Sequence, residues 1–295
     1  MTNKNNQSDA ASTNAQPPRK RKEWKDLTIS DDYMFKLVMS RHHNLCKHLV
    51  EKVLGIKVRS LANIEEEKGI RNSYDGKGVR LDVYVEDKAN SRFILEMQVK
   101  DYGDEEIAHR SRYYQSTIDF DFLMAGHNYK ELGDVYVIFF CPFKIFGGKR
   151  RKYTFENICC EDSGISLGDG AKKVFLSSQG LPTDELDPDV DAFLEYMMGT
   201  ISDNDFVRGV DEEIRREKDN PNEEAIFVTY QMKLEEERMG GRQEEKDETI
   251  VRRLLRFTKR HVQPEQQDIQ EIAEDSDVSV ERVRELAEKN GIILA

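Results

Sequence analysis

Two stretches of the chain alternate between apolar and polar positions with the period of a β-strand. In VRLDVYVE, residues 79–86, Val79, Leu81, Val83 and Val85 alternate with Arg80, Asp82, Tyr84 and Glu86. In RFILEMQVK, residues 92–100, Phe93, Leu95, Met97 and Val99 alternate with Ile94, Glu96, Gln98 and Lys100. EDKANS, 86–91, carries turn residues between them and predicts a hairpin. A helical run is predicted over 30–54, from a Ser/Asp start to Gly55. IKVRSLANIEEE, 56–67, reads as a strand followed by an acidic patch, and RNSYDGKG, 71–78, as a turn. A second helix is predicted over 104–125, through Ile107, Tyr114 and Ile118, with Gly126 as its C-cap. DVYVIFFCPF, 134–143, is nearly all apolar, as a buried central strand requires.

The predicted order is helix, three strands, helix, strand: an α/β, αβββαβ core with a mixed sheet flanked by helices. Strand signals weaken over 149–180, and 184–234 is mostly helical. Residues 235–257 form a charged helical stretch that Gly240-Gly241 is expected to interrupt. Residues 264–289 read as two short helices around an Asp/Ser turn, the outline of a helix-turn-helix; their acidity favours a packing module over a DNA reader. The expected organisation is a disordered, basic-ended tail (1–25), a core (26–180), a helical extension (181–234) and an acidic helical C-terminal region (235–295).

Composition narrows the class. Of 295 residues, 38% are apolar and 35% charged, and no apolar run approaches the length of a membrane span. The N-terminal segment has no apolar h-region, so it does not read as a secretory signal. Cys46, Cys141, Cys159 and Cys160 form no CxxC pair, which argues against a zinc site and fits a reducing cytoplasm. The six histidines, His42-His43 and His109 among them, show no ligand spacing. The net charge of -12 is unevenly spread: residues 1–155 carry 27 Lys+Arg against 22 Asp+Glu, and residues 156–295 carry 18 against 35. A DNA partner is compatible with the first half and disfavoured for the second.

A hairpin turn centred on Ala89 makes paired positions sum to 178 and sets Asp82 opposite Glu96. Cross-strand Cβ atoms are about 4.5–5.5 Å apart, so the two carboxylates repel unless a cation lies between them. A divalent metal meets that need, and so does Arg80 or Lys100; an ordinary solvated face is the plain alternative. The main-chain carbonyl of Met97 offers a third oxygen. All-oxygen ligation suits magnesium or manganese.

The same residues resemble the PD-(D/E)xK nucleases, and more narrowly the Rpn recombination-promoting nucleases, PD-(D/E)xK family transposases. The resemblance rests on Asp32-x-x-Phe35-Lys36, Leu81-Asp82-Val83, Glu96-Met97-Gln98, Arg110-x-x-x-Tyr114, Gly126-x-x-Tyr129-x-x-Leu132, and the segments 136–147 and 153–157. It covers roughly residues 26–234. It implies a bacterial, cytoplasmic, magnesium-dependent DNA endonuclease serving recombination or mobile elements. Asp82 and Glu96, with the Met97 carbonyl, are then the metal ligands. Gln98 stands where the superfamily has lysine; its neutral amide can orient water or phosphate but cannot act as a base. Lys100, about 7 Å further along by strand rise, is the candidate cation. Arg110 and Tyr114, one helical turn apart, are candidates for holding Glu96, Gln98 or a phosphate, or for packing the helix on the sheet. Asp32 is a candidate supporting carboxylate or N-cap, and Glu51 a surface acid within possible reach of the metal. Rival readings are an inactive nuclease-like regulator that binds DNA or protein, and a transposase with strand transfer. The C-terminal helical region is a candidate surface for self-association.

Overall fold

The computed structural model describes residues 22–71, 78–123, 128–183, 185–260 and 262–295. The chain divides into two compact units at Asn220/Pro221. Most of the expected N-terminal tail, residues 72–77 of the expected turn, and Gly126 lie outside the described residues. Trp24 is already part of the first unit: it is buried, and its Nε1 donates to the Lys218 carbonyl at 3.1 Å.

The first helical run is two helices, α1 (Asp32–Arg41) and α2 (His43–Leu54), separated at His42 with φ -99° and ψ 74°. Apolar spacing continues through the break, so the sequence reads as one helix. The ring of His42 meets Glu213 at 3.4 Å and Glu217 at 3.3 Å, while its carbonyl accepts from the N–H of Leu45 at 2.9 Å and of Cys46 at 3.1 Å in the next helix. Gly55 ends α2 in the left-handed region (φ 66°), where a residue without Cβ is unstrained. The following strand starts later than its apolar residues suggest. Val58 is tied back by its N–H to Glu51 Oε1 at 2.8 Å, and β1 runs from Leu61 to Ile70, so the acidic patch lies within the strand. That bond gives Glu51 a structural role.

The hairpin β2 (Val79–Asp87) and β3 (Arg92–Met97) follows, then α3 (Asp104–Phe122) and β4 (Val135–Cys141). β5 (Lys152–Phe155) and β6 (Ala171–Ser177) complete one six-stranded sheet of order β1-β2-β3-β4-β6-β5. β1, β2 and β3 are antiparallel neighbours, β3, β4 and β6 are parallel, and β5 runs antiparallel to β6. The sheet is therefore mixed, with the buried β4 at its centre, and the αβββαβ order holds once α1 and α2 are counted together. Consecutive β4 residues show which helix covers which face. Phe140 packs on Phe35 of α1 with ring centroids 5.2 Å apart, and Phe139 on Tyr114 of α3 at 6.1 Å. Adjacent strand residues point to opposite faces, so α1 and α3 cover opposite sides. Two further helices, α4 (Pro188–Met197) and α5 (Asp205–Lys218), extend the α1 side through Phe193, which packs on Phe140 and Phe206.

In the second unit α6 (Pro221–Lys259) is one continuous helix, and Gly240-Gly241 do not interrupt it. The glycine pair is flanked by helix formers, Arg238-Met239 before it and Arg242-Gln243 after it, which carry the backbone through. α7 (Gln266–Ser276) and α8 (Val280–Lys289) turn about Asp277, at φ 51°, with the Ser279 side chain accepting from the Arg282 N–H. Ile250 and Leu254 of α6 pack with Ile269, Ile272, Val283 and Leu286. The two short helices thus have a core of their own with the end of α6. All four cysteines are free.

Candidate active site

The hairpin register is the one its turn chemistry predicts: Val83↔Leu95, Tyr84↔Ile94 and Glu86↔Arg92 each sum to 178. Asp87 fixes the turn, its Oδ1 accepting from the N–H of Ala89 at 2.9 Å and of Ser91 at 2.8 Å. Beyond Val83/Leu95 the backbone pairing is replaced by side chains. The Asp82 N–H donates to Glu96 Oε1 at 2.9 Å, and the Met97 N–H donates to Asp82 Oδ2 at 3.0 Å. Each carboxylate thus stands in for a ladder carbonyl where the strands splay. In an extended strand one residue's N–H and C=O point to the same side, so the Met97 carbonyl faces the same gap.

Strict alternation in β2 fails at this point. Leu81 and Tyr84 both belong to the apolar cluster under α3, although they are three residues apart. Alternation therefore slips by one residue at Asp82–Val83. On β1, Glu67 has φ 56°, and the pairs Glu66↔Val83 and Lys68↔Leu81 bracket it opposite Asp82. A left-handed residue without a glycine's freedom is a costly local conformation, and here it sits beside the splay.

Two cations serve this pair from opposite faces. From α3, Arg110 donates through Nη1 to Gln98 Oε1 and through Nη2 to the Tyr114 hydroxyl at 2.6 Å, with Nη2 3.9 Å from Glu96 Oε2. From α1, Lys36, 1% exposed, reaches Glu67 Oε1 at 2.5 Å and Asp32 Oδ2 at 3.9 Å. Burial pushes the Asp82 carboxyl up to about 6, with Lys36 and Arg110 pulling it down. Burial and then the Asp82 charge hold the Glu96 carboxyl well above the ordinary range, again opposed by Arg110 and Lys36. Burial also opposes the Arg110 charge, but Tyr114, Glu96 and Asp82 outweigh it and raise its pKa.

Asp82, Glu96, Met97, Gln98, Arg110 and Tyr114 are therefore brought together. Lys100 is not: β3 ends at Met97, the Lys100 side chain is exposed, and its ammonium lies 4.6 Å from the centre of the Tyr102 ring. Gln98 is already engaged at both ends, its Oε1 by Arg110 and its Nε2 with the Lys100 carbonyl. It braces Arg110. Asp32 is the first residue of α1 and Asp31 holds the N-cap position, so Asp32 is not the cap. Sequence reasoning named Lys36 only within the Asp32-x-x-Phe35-Lys36 motif, without a role at the site, and missed Glu67. The available signal was a lysine inside the buried run Tyr33–Met39 of an apolar helix.

Among the described residues, no three His, Cys, Asp or Glu side chains form a ready metal cage. The donor set nevertheless suits a hard divalent ion. Asp82 Oδ1 and Glu96 Oε2 are left over by the two amides, Glu96 is buried and Asp82 half-buried, burial disfavours the charge of both, and the Met97 carbonyl adds a third oxygen. His48 pairs with Asp189 at 2.7 Å and His42 with Glu217, so these histidines are structural.

Residues 29–177, from the start of α1 to the end of β6, match the model of a family described as PD-(D/E)XK nuclease family transposase. The chain belongs to this family. No curated protein and no solved structure matches it. As a PD-(D/E)XK nuclease family transposase, the protein has a nuclease- or transposase-type function. The matched segment contains the whole sheet and both helices that supply Lys36 and Arg110. Among its described residues, no helix is long and apolar enough to cross a membrane.

Proposed function

We propose that the protein is a metal-dependent endonuclease that hydrolyses DNA phosphodiester bonds in recombination or mobile-element processing. One observation carries this reading: two carboxylates lie side by side in the splay of a hairpin, buried enough to resist ionisation, with a cation on either side. A structural role alone gains little from such a pair, whereas a divalent cation removes the cost of its charge. Asp82, Glu96 and the Met97 carbonyl would hold magnesium or manganese. When bound, such an ion supplies Lewis-acid charge and a more acidic water.

The chain's own residues do the rest. The Met97 and Asp82 amides fix one oxygen of each carboxylate, so the other two have defined positions. Arg110, braced by Gln98 and Tyr114, presents a fixed guanidinium beside Glu96 for a phosphate oxygen. Lys100 and Tyr102, exposed beyond the end of β3, would contact the DNA backbone outside the reacting centre. In the reaction a water oxygen bonds to phosphorus and gives up a proton to solvent, one P–O ester bond breaks, and the departing oxygen takes a proton from solvent.

Supercoiled plasmid incubated with the protein should be nicked or linearised with magnesium and stay intact with a chelator. Asp82→Asn and Glu96→Gln, which keep an acceptor for the backbone amides, should each lower the rate by two or more powers of ten, about 1.4 kcal/mol per tenfold. Near-normal cutting by either variant would remove that residue from the metal site. Strand-transfer products with a second DNA would mark a transposase.

A further inference from the structure

The two cations of the site are held in different ways. Arg110 is pinned by two hydrogen bonds, to Gln98 and to Tyr114. Lys36 is a compact ammonium on a four-carbon stem, paired with the Glu67 carboxylate. Asp32, one turn away on the same helix, is half exposed, 3.9 Å from the ammonium.

The fold itself does not require a charge at position 36. Phe35, Leu37, Val38 and Met39 on the same helix are all buried and apolar. An apolar side chain of similar volume would avoid the desolvation penalty of a buried ion pair, and such replacements are often neutral or stabilising. The partner is costly as well: Glu67 meets Lys36 from a left-handed backbone conformation, at the β1 position bracketed opposite Asp82. A buried lysine and a strained glutamate are thus both maintained next to the splayed carboxylates. The lysine's charge acts on both of them. Two positions at the end of the hairpin, Gln98 and Lys100, do not supply a cation to the site. Gln98 is neutral and engaged, and the Lys100 ammonium lies against Tyr102.

We propose that Lys36 is a catalytic residue of this site, whose ammonium exchanges Glu67 for an oxygen of the scissile phosphate, and that Glu67 parks it in the substrate-free protein. This rests on the endonuclease reading above and adds to Arg110 a second cation, on the opposite face. Lys36 keeps its three protons throughout; it contributes charge as the P–O bond breaks, and the proton for the departing oxygen still comes from solvent. The parked and engaged states thus compete for one ammonium.

The test compares wild type with Lys36→Arg, Lys36→Met and the double variant Lys36→Met/Glu67→Gln. Each is assayed for single-turnover cleavage of supercoiled plasmid in magnesium, for binding of a short DNA duplex in calcium, and for thermal melting. The double variant removes both charges together, so it leaves no orphaned ion even if Lys36→Met alone fails to fold. Expected is a loss of cleavage of roughly 100-fold or more for both Met variants, with duplex affinity within about threefold of wild type, and recovery to within about tenfold in Lys36→Arg. Cleavage by the double variant within about threefold of wild type overturns the Lys36 assignment and leaves the Asp82–Glu96 reading standing. A double variant that no longer folds makes Lys36 a structural residue and overturns it too. A wild-type protein that does not cut in magnesium overturns both proposals.

Discussion

At the scale of single residues, the site is an electrostatic conflict. Asp82 in the metal-free protein holds its proton more tightly than the unfolded chain does, its carboxyl being pushed from about 3.8 up to about 6 by burial. Below about pH 4 it is protonated in both states and contributes nothing. As pH rises through the interval between the two values, the folded state must give up a proton it favours, and stability is lost; Glu96, shifted the same way, extends the loss upward. The double variant Asp82→Asn/Glu96→Gln should therefore gain stability over wild type as pH rises from 4 to 7.5 in a chelator, by an amount on the order of 2 kcal/mol. Melting both proteins across that range checks it; a difference that stays flat with pH would mean that these carboxyls ionise without strain. Which residues would form this conflict was only partly legible. Asp82 and Glu96 lie on one hairpin, where a turn centre and a period of two fix the neighbours. Lys36 and Glu67 reach the pair from a separate helix and strand. Their approach depends on how α1 lies across the sheet, and no periodicity within α1 records that.

Elements position these residues through a few tight contacts. The β2–β3 turn is clasped by the loop before β4: Asn90 Nδ2 donates to the Glu131 carbonyl at 2.8 Å, and the Arg92 N–H to the Asp134 carbonyl at 2.8 Å. Gly133 lies so close that an added Cβ would stand 1.8 Å from the Asn90 carbonyl oxygen. Gly133→Ala should accordingly destabilise the protein by about 1–3 kcal/mol, read as a lower urea midpoint at unchanged slope. A shift under about 0.5 kcal/mol would mean that the loop yields without disturbing the hairpin. The strands and α3 were legible to within a few residues because their patterns are local. The break at His42 was not, because it is made by Glu213 and Glu217 on α5, far along the chain. The slip in β2 was hidden by a pattern that looks regular: Tyr84 reads as polar by type, yet it is buried with Ile94 and Ile118.

Over the whole molecule, the family match ends at residue 177, and the chain continues through α4 and α5 into a separate unit with its own apolar core. The charge asymmetry suggested an acidic second half; the structure divides the chain elsewhere, at residue 220, so much of that acidity belongs to the unit that contains the site. The two-helix outline of the C-terminal end was legible from its caps. The unbroken α6 was not, since paired glycines usually mark an end. That continuity has a physical cost. Residues 235–245 are exposed on every side, and each glycine there weakens the helix by about 1 kcal/mol relative to alanine, with no packing to offset it. A protease acting briefly on the native protein should therefore cut first within this stretch, and Gly240→Ala/Gly241→Ala should slow the nick several-fold while leaving plasmid cleavage unchanged. Resistance equal to that of the buried helices would show that something shields it. A cut at this point would divide α6 itself, leaving the apolar core of the C-terminal helices on one piece of chain and the sheet with Asp82 and Glu96 on the other.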